Sequence, residues 1–406
     1  MPKTSSVFGH GFSGVAKLTM SVPSPSGIDC DLCFQGEFLS SAWEAEKPHH
    51  PGLVVKAMEG MGASWTMANL MAEEAAGIAL RVFLLDNSGS TQSPDGHVLQ
   101  SDPHYQASRV LVPASRWDEI AAMALDQAEW NAASGVRCEF VLLNPPSSSP
   151  QEGRDYVTID AALGNTKSQV AQLAQLLKKN PPRGATPLAA RLRQIAARLR
   201  REVKDGGRIM LSVVTDGIPT SHLHDAKSEF MQELRKFASE FNTFMVIRLA
   251  TDENDVVDYY NRIDEELELP LDILDDLAGE AKELKDCGNG WFAYTPLLHR
   301  IREGGTLAKL FDLLDERRLQ LPEIAQLLEL LFRGPEDPPF PRNASELYTL
   351  AEAKCYASAT VFNGRCQRMT LPLDLKELKK ALGLTTAQRI RKHVLRALCC
   401  SGNLPP

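Results

Sequence analysis

The chain lacks the features that most directly fix a compartment or a chemistry. No stretch reaches about 18 uninterrupted apolar residues, so the sequence predicts no membrane-spanning helix. The opening Met1-Pro-Lys-Thr-Ser-Ser-Val-Phe-Gly-His has no apolar core of the kind a secretory leader carries, which predicts an intracellular, cytoplasmic protein. Cysteine is sparse, at 8 in 406 residues. Cys30, Cys33, Cys138, Cys287, Cys355, Cys366, Cys399 and Cys400 form no paired modules, which fits a reducing compartment rather than a disulfide scaffold. Excess positive charge is missing too: 52 Asp and Glu against 44 Lys and Arg leave a net charge of −8. That excludes a whole-chain field for nucleic acid or an anionic membrane and leaves only a local basic face open. Neither G-x-S-x-G nor the phosphate-cradling G-x-x-x-x-G-K-[ST] occurs, and no D-x-[DN]-x-[DN]-G calcium loop is present.

What is present is enough apolar sequence, 43% of the chain, for a large core and two or three domains. Residues 1–52 are rich in Gly, Ser and Pro and predict an irregular lead-in. Ala57 to Ala76, with Met58, Met61, Trp65, Met67, Leu70 and Met71, predicts one helix whose methionines fill a core. Apolar strand-like runs then alternate with helical patterns: strands at 80–86, 136–143, 156–159, 209–216 and 243–249, helices at about 116–133, 167–179, 187–204 and 225–240. The alternation predicts an α/β fold, a doubly wound, mostly parallel sheet with helices on both faces. Beyond 251 the chain turns acidic, which predicts helices with a solvated face around an apolar stripe. The organisation expected is an irregular segment over 1–52, an α/β domain with its leading helix over 53–300, a helical extension over 301–333, a linker over 334–342, and a small C-terminal segment with a basic helix over 343–406.

Three places share short oxygen-bearing side chains just past an apolar strand or at a helix start: Asp86-Asn-Ser88-Gly-Ser90, Gly184-Ala-Thr186-Pro187 and Thr215-Asp216-Gly217. In an open parallel sheet, ligands bind where the carboxyl ends of neighbouring strands meet at a change of winding direction. Asp86 and Asp216 are expected at the ends of two central strands, where two close carboxylates repel unless a cation lies between them. Hydroxyls from Ser88, Ser90 and Thr186 complete an all-oxygen set. Without His or Cys it favours Mg2+, or the hard cations Ca2+ and Mn2+, over zinc or copper. Each motif alone is commonly a turn, a helix cap or a strand exit; the three in this order point to a metal site.

These motifs resemble the metal-ion-dependent adhesion site of the von Willebrand factor A domain family, over roughly residues 78 to 300. The resemblance implies a doubly wound sheet with one short antiparallel edge strand, for which 156–159 is the candidate. It also implies that Ser88 and Ser90 ligate the metal directly, Thr186 directly or through water, and Asp86 and Asp216 through water. The remaining coordination position would accept an Asp or Glu of a protein partner. The function implied is divalent-cation-dependent protein binding, without enzyme activity.

Other readings are weaker on the residues. A phosphotransferase of the haloacid dehalogenase type needs a second Asp where Ser88 stands, and an esterase needs a His such as His97 to activate Ser88 or Ser90. A metal-dependent enzyme acting on a phosphate or carbonyl needs a general base near Asp86 and Asp216. Cys30-Asp-Leu-Cys33 lacks a second ligand pair for zinc. His222-Leu-His224 reads as an exposed connection, and Cys399-Cys400 as incidental rather than lipidated. Nucleic acid is expected only through the basic C-terminal helix, which carries Lys376, Lys379, Lys380, Arg389, Arg391, Lys392 and Arg396; an RNA-associated protein is the reading that helix would support.

Overall fold

The computed structural model describes residues 51–101, 109–146, 155–202, 207–221, 225–267 and 269–384. The Cys30 and Cys33 pair, His222 and His224, Cys399 and Cys400, and the basic positions from Arg389 onward lie outside the described residues.

Two helices lead in, α1 (Pro51–Gly60) and α2 (Trp65–Ala76). The single helix expected over 57–76 is broken at Gly62, whose φ of +90° is left-handed backbone. The chain restarts at Ser64, whose hydroxyl accepts the Met67 N–H at 3.1 Å. Glycine's freedom and a serine cap outweigh the continuous apolar stripe.

Strand β1 (Ile78–Leu85) follows, then a separate antiparallel pair, β2 (Gly96–Ser101) and β3 (Arg109–Ala114). Helix α3 (Arg116–Ser134) opens on a reciprocal Ser115/Asp118 capping box and closes at Gly135. Next come β4 (Cys138–Leu142), β5 (Tyr156–Ile159), α4 (Thr166–Lys179), α5 (Leu188–Glu202), β6 (Arg208–Thr215), α6 (Ala226–Glu240), β7 (Thr243–Leu249), α7 (Asn254–Leu267), β8 (Leu271–Leu274) and α8 (Leu277–Asp286).

The central sheet has six strands in the order β5-β4-β1-β6-β7-β8. All its pairings are parallel except that of the edge strand Tyr156–Ile159, which runs antiparallel to β4. The chain leaves β1 on one side to lay down β4 and β5 and returns on the other for β6, β7 and β8, so the winding reverses between β1 and β6. Two-residue alternation divides β1 between two cores. Leu80, Val82 and Leu84 face Leu192 and Leu199 of α5, Phe230 of α6 and Tyr260 of α7. Phe83 and Leu85 face Ile120 of α3 and Leu173 of α4, and Phe83 stacks on Phe140 of β4 with ring centroids 4.8 Å apart.

A third core joins α1, α2 and α8 to the remainder of the chain: α9 (Pro296–Glu303), α10 (Lys309–Glu316), α11 (Leu321–Phe332), α12 (Ala344–Ala357), the hairpin β9 (Val361–Asn363) with β10 (Arg368–Thr370), and α13 (Leu375–Ala381). Trp291, Phe311, Leu328 and Ala351 are among its buried residues. The stretch 334–342 runs along this core. Phe340 is buried in it, and its N–H donates to Glu329 Oε1 at 2.8 Å. Among the described residues no helix is long and apolar enough to cross a membrane.

The acidic stretch after 251 forms the expected solvated face in α7, where Asp255 and Asp258 are exposed and Val256, Tyr260 and Ile263 are buried, and departs from it further on. Pro270 stands between α7 and β8, and Leu271–Leu274 adds the sixth strand beside β7. Within α8, Glu280 is fully buried and receives Arg302 Nη1 at 2.5 Å. The other Arg302 terminal nitrogen, Nη2, reaches Asp315 at 2.6 Å and Asp272 at 3.3 Å. A buried guanidinium shared by three carboxylates holds β8, α8, α9 and α10 together. Arg302→Met leaves those carboxylates without a counter-charge and is expected to cost about 3–5 kcal/mol, read from urea unfolding at pH 8.

Glu74 of α2 is half-buried, and the nearby charge of Arg81 offsets its desolvation only in part. One carboxyl oxygen accepts the Thr306 hydroxyl at 2.9 Å, and burial pushes the group from 4.5 up to about 7. Between those values the folded chain holds the proton more tightly than the unfolded one, so stability falls as pH rises through that window. Glu74→Gln is expected to flatten this slope and to raise stability at pH 8 by up to about 3 kcal/mol, read from urea midpoints at pH 4.5 and pH 8.

Candidate functional site

The carboxyl ends of β1 and β6 form the crevice at which the winding reverses. The Asp86 N–H continues the ladder by donating to Val214 O at 2.9 Å. Its carboxylate is fully buried. Oδ1 accepts the Ser88 N–H at 2.8 Å and Oδ2 accepts the Thr215 hydroxyl at 2.6 Å. Burial pushes Asp86 up to about 6; the bonds from Thr215 and Ser88 oppose the rise and the charge of Asp216 adds to it.

After Asp86 the chain makes one tight turn over Gly89–Gln92, which brings Ser88 and Ser90 onto one side. Their hydroxyl oxygens lie 3.0 Å apart, and Ser90 donates to Asp216 Oδ1 at 2.8 Å. Asp216 is buried, which raises its carboxyl against the lowering effect of Ser90 and Arg116. Thr186 arrives from a third segment. Gly184, with φ of +78°, turns the chain so that its carbonyl accepts the Gly89 N–H at 3.0 Å. The Thr186 N–H then donates to Thr220 Oγ1 at 2.8 Å. A Cβ placed on Gly217 would lie 3.5 Å from Thr186 Oγ1 and 3.8 Å from Ser90 Oγ, so the two hydroxyls converge over that glycine.

All five residues singled out from the sequence, Asp86, Ser88, Ser90, Thr186 and Asp216, therefore gather at this crevice. Their oxygens form a donor set of hydroxyls and carboxylates with no nitrogen or sulfur, the chemistry that hard divalent cations take. His97 sits on β2, with its backbone N–H bonded to Glu119 Oε2 at 2.8 Å. The hydroxyls of Ser88 and Ser90 engage each other and Asp216.

Five residues of the crevice carry roles that the sequence reading did not assign. Thr215 supplies the hydroxyl on Asp86. Tyr260 of α7 donates to Gly217 O at 2.9 Å. Asn87, fully buried, exchanges bonds with the Asn144 backbone at 2.7 and 3.0 Å, and the Asn144 side chain reaches Ala185 O at 2.9 Å. That relay ties the turn after β1 to the segment bearing Thr186. Arg116 donates to Asp216 Oδ2 at 3.1 Å. A cation as the first residue of a helix opposes the helix dipole, and that local conflict in Ser115-Arg-Trp-Asp118 was its one visible signal.

No family model matches the chain, and no curated protein matches its sequence. Fold and site together define an α/β protein with an open, mostly parallel sheet of Rossmann-like architecture and an all-oxygen cleft at the reversal of its winding.

Thr215→Val removes a hydroxyl from a buried carboxylate and is expected to cost about 1–3 kcal/mol of stability at pH 8. The loss should shrink as pH falls through 6, where Asp86 takes up its proton. Paired urea titrations of both proteins at the two ends of that range check it.

Proposed function

We propose that the chain is a protein of the von Willebrand factor A type that docks an acidic residue of a partner protein through a bound divalent cation, Mg2+ first among the candidates. Ser88 and Ser90 ligate the cation directly in this reading. Thr186 does so directly or through water, and Asp86 and Asp216 act through water. The remaining coordination position belongs to an Asp or Glu carboxylate of the partner. When bound, the cation supplies a doubly positive, oxygen-seeking centre.

The observation that carries the reading is the run from Ser88 to Ser90 to Asp216, with the Thr186 hydroxyl closing over Gly217, at the one place where the sheet's winding reverses. What this chain's own groups do follows from their contacts. Thr215 and the Ser88 N–H hold Asp86 in one orientation, Ser90 and Arg116 hold Asp216, and the Asn87 relay sets the third segment against the first. A site held this way loses little freedom when it takes a ligand. The alternative, a metal-dependent enzyme acting on a phosphate or carbonyl, requires a general base at the same place. The side chains bonded to Asp86 and Asp216 are hydroxyls and one guanidinium. We place the protein in a reducing, cytoplasmic setting, which suits the free thiols of Cys138, Cys287, Cys355 and Cys366.

Calorimetric titration with Mg2+ is expected to show one site in the wild type and in Ser93→Ala, and none in Asp86→Ala or Asp216→Ala. Partner capture should require Mg2+ and disappear with EDTA or in Asp86→Ala. Capture that is equal under all three conditions overturns the metal-bridged reading.

A further inference from the structure

Beside the five proposed ligands, one of the described residues sets a fixed positive charge in the crevice. Arg116 opens α3, and its side chain is 4% exposed. It is bound to three carboxylates. Nε and Nη2 grip Asp95 at 2.8 and 2.7 Å in a two-pronged contact, Nη2 also reaches Glu253 at 2.8 Å, and Nη1 reaches Asp216 Oδ2 at 3.1 Å. Asp95 and Glu253 are more than half exposed, whereas the Asp216 side chain is fully buried. The guanidinium thus lies one contact from Asp216, two from Ser90 and three from Ser88.

A buried arginine at a helix start is unfavourable twice over, through desolvation and through the helix dipole. Its three carboxylate partners account for its being there. Its effect on the crevice follows from its charge. Asp86 and Asp216 are close enough for the charge of one to bear on the other, and Arg116 offsets part of that repulsion whether or not a cation is bound.

We infer that Arg116 is an internal counter-cation that lowers the affinity of the crevice for a divalent cation, holding Asp216 in the cation-free protein and opposing the incoming charge. The inference rests on the cation-binding reading of the site. Two effects of the arginine compete, and their sizes decide the sign. Orienting one short carboxylate favours binding by a few-fold at most, because aspartate has few rotamers to lose. A unit charge opposing a doubly charged ion across the width of one carboxylate disfavours binding by about tenfold even at the dielectric of water, and by more where solvent is excluded. Repulsion therefore wins, and Arg116 is a tuning residue rather than a ligand.

The test is calorimetric Mg2+ titration of the full chain, with thermal melting to confirm folding. Arg116→Gln is expected to bind Mg2+ at least about tenfold more tightly than wild type. Arg116→Lys keeps the charge without the fork and should stay within about threefold of wild type. An affinity in Arg116→Gln equal to or weaker than wild type overturns the inference, as does a lysine variant that tightens as much as the glutamine one. Asp95→Asn, at an exposed position, keeps the question open to measurement if Arg116→Gln does not fold. It removes the two-pronged partner, leaves the guanidinium less neutralised, and is expected to weaken Mg2+ binding a few-fold, with unchanged or tighter binding counting against the inference. Absence of any Mg2+ heat in the wild type, matching Asp86→Ala, defeats the cation reading itself and is distinct from a measurable affinity that Arg116 does not alter.

Discussion

Parallel pairing of Ile78–Leu85 with Arg208–Thr215 is the constraint on which the rest of the crevice depends. It sets Leu85 opposite Val214, so that each strand delivers its next acid, Asp86 and Asp216, to the same end of the sheet. Neither side chain is exposed to water. Ionised carboxylates in such a place are costly unless their oxygens find donors. The local architecture supplies them: a hydroxyl and an amide for Asp86, a hydroxyl and a guanidinium for Asp216. The tight turn after β1 places two of those donors, the Ser88 amide and the Ser90 hydroxyl.

The chain supplies electrostatic compensation of its own. The repulsion between two neighbouring carboxylates is met in part by Arg116, whose outer nitrogens are themselves held by Asp95 and Glu253. The partners of this arginine come from three other segments, before β2, after β6 and before α7. One turn further along α3, Glu119 pairs with Arg248 of β7, which also meets Glu303 of α9. Helix α3 is thereby tied at its start to the crevice and a turn later to the sheet and to the third core.

That third core is the part of the molecule for which the α/β alternation gives no guide. It fuses the two leading helices, which precede the sheet in sequence, to α8 and the helices that follow it. Ser64 Oγ donates to Leu330 O at 2.7 Å, across 266 positions of chain. The shared guanidinium of Arg302 does the same work by charge, where the acidic residues of 272, 280 and 315 would otherwise repel. Acidity there is structural and internal, and much of it does not reach solvent.

The types of most sheet elements were legible because strand and helix periods are written in neighbours a few residues apart. Leu80, Val82 and Leu84 alternate with Phe83 and Leu85, and Leu188, Leu192, Ile195 and Leu199 recur at helical spacing. The oxygen-bearing residues of the crevice were legible as types for the same reason, since each sits in a short motif at the end of one element. Local signals that compete were misread. Gly62 breaks a helix that the methionine stripe suggested, and Leu271–Leu274 becomes a strand because β7 offers it a pairing edge. The functions of Asn87 and Thr215 were not legible, and Arg116 showed only as a cation at a helix start. Arg116 meets Asp216 across 100 positions, and Thr215 meets Asp86 across 129. By itself the sequence determined element types, the reversal-prone alternation and the all-oxygen chemistry of the crevice, because these need only local order. Tertiary structure alone decided which acid is compensated by a hydroxyl and which by a guanidinium, because that depends on which distant side chains share one desolvated space.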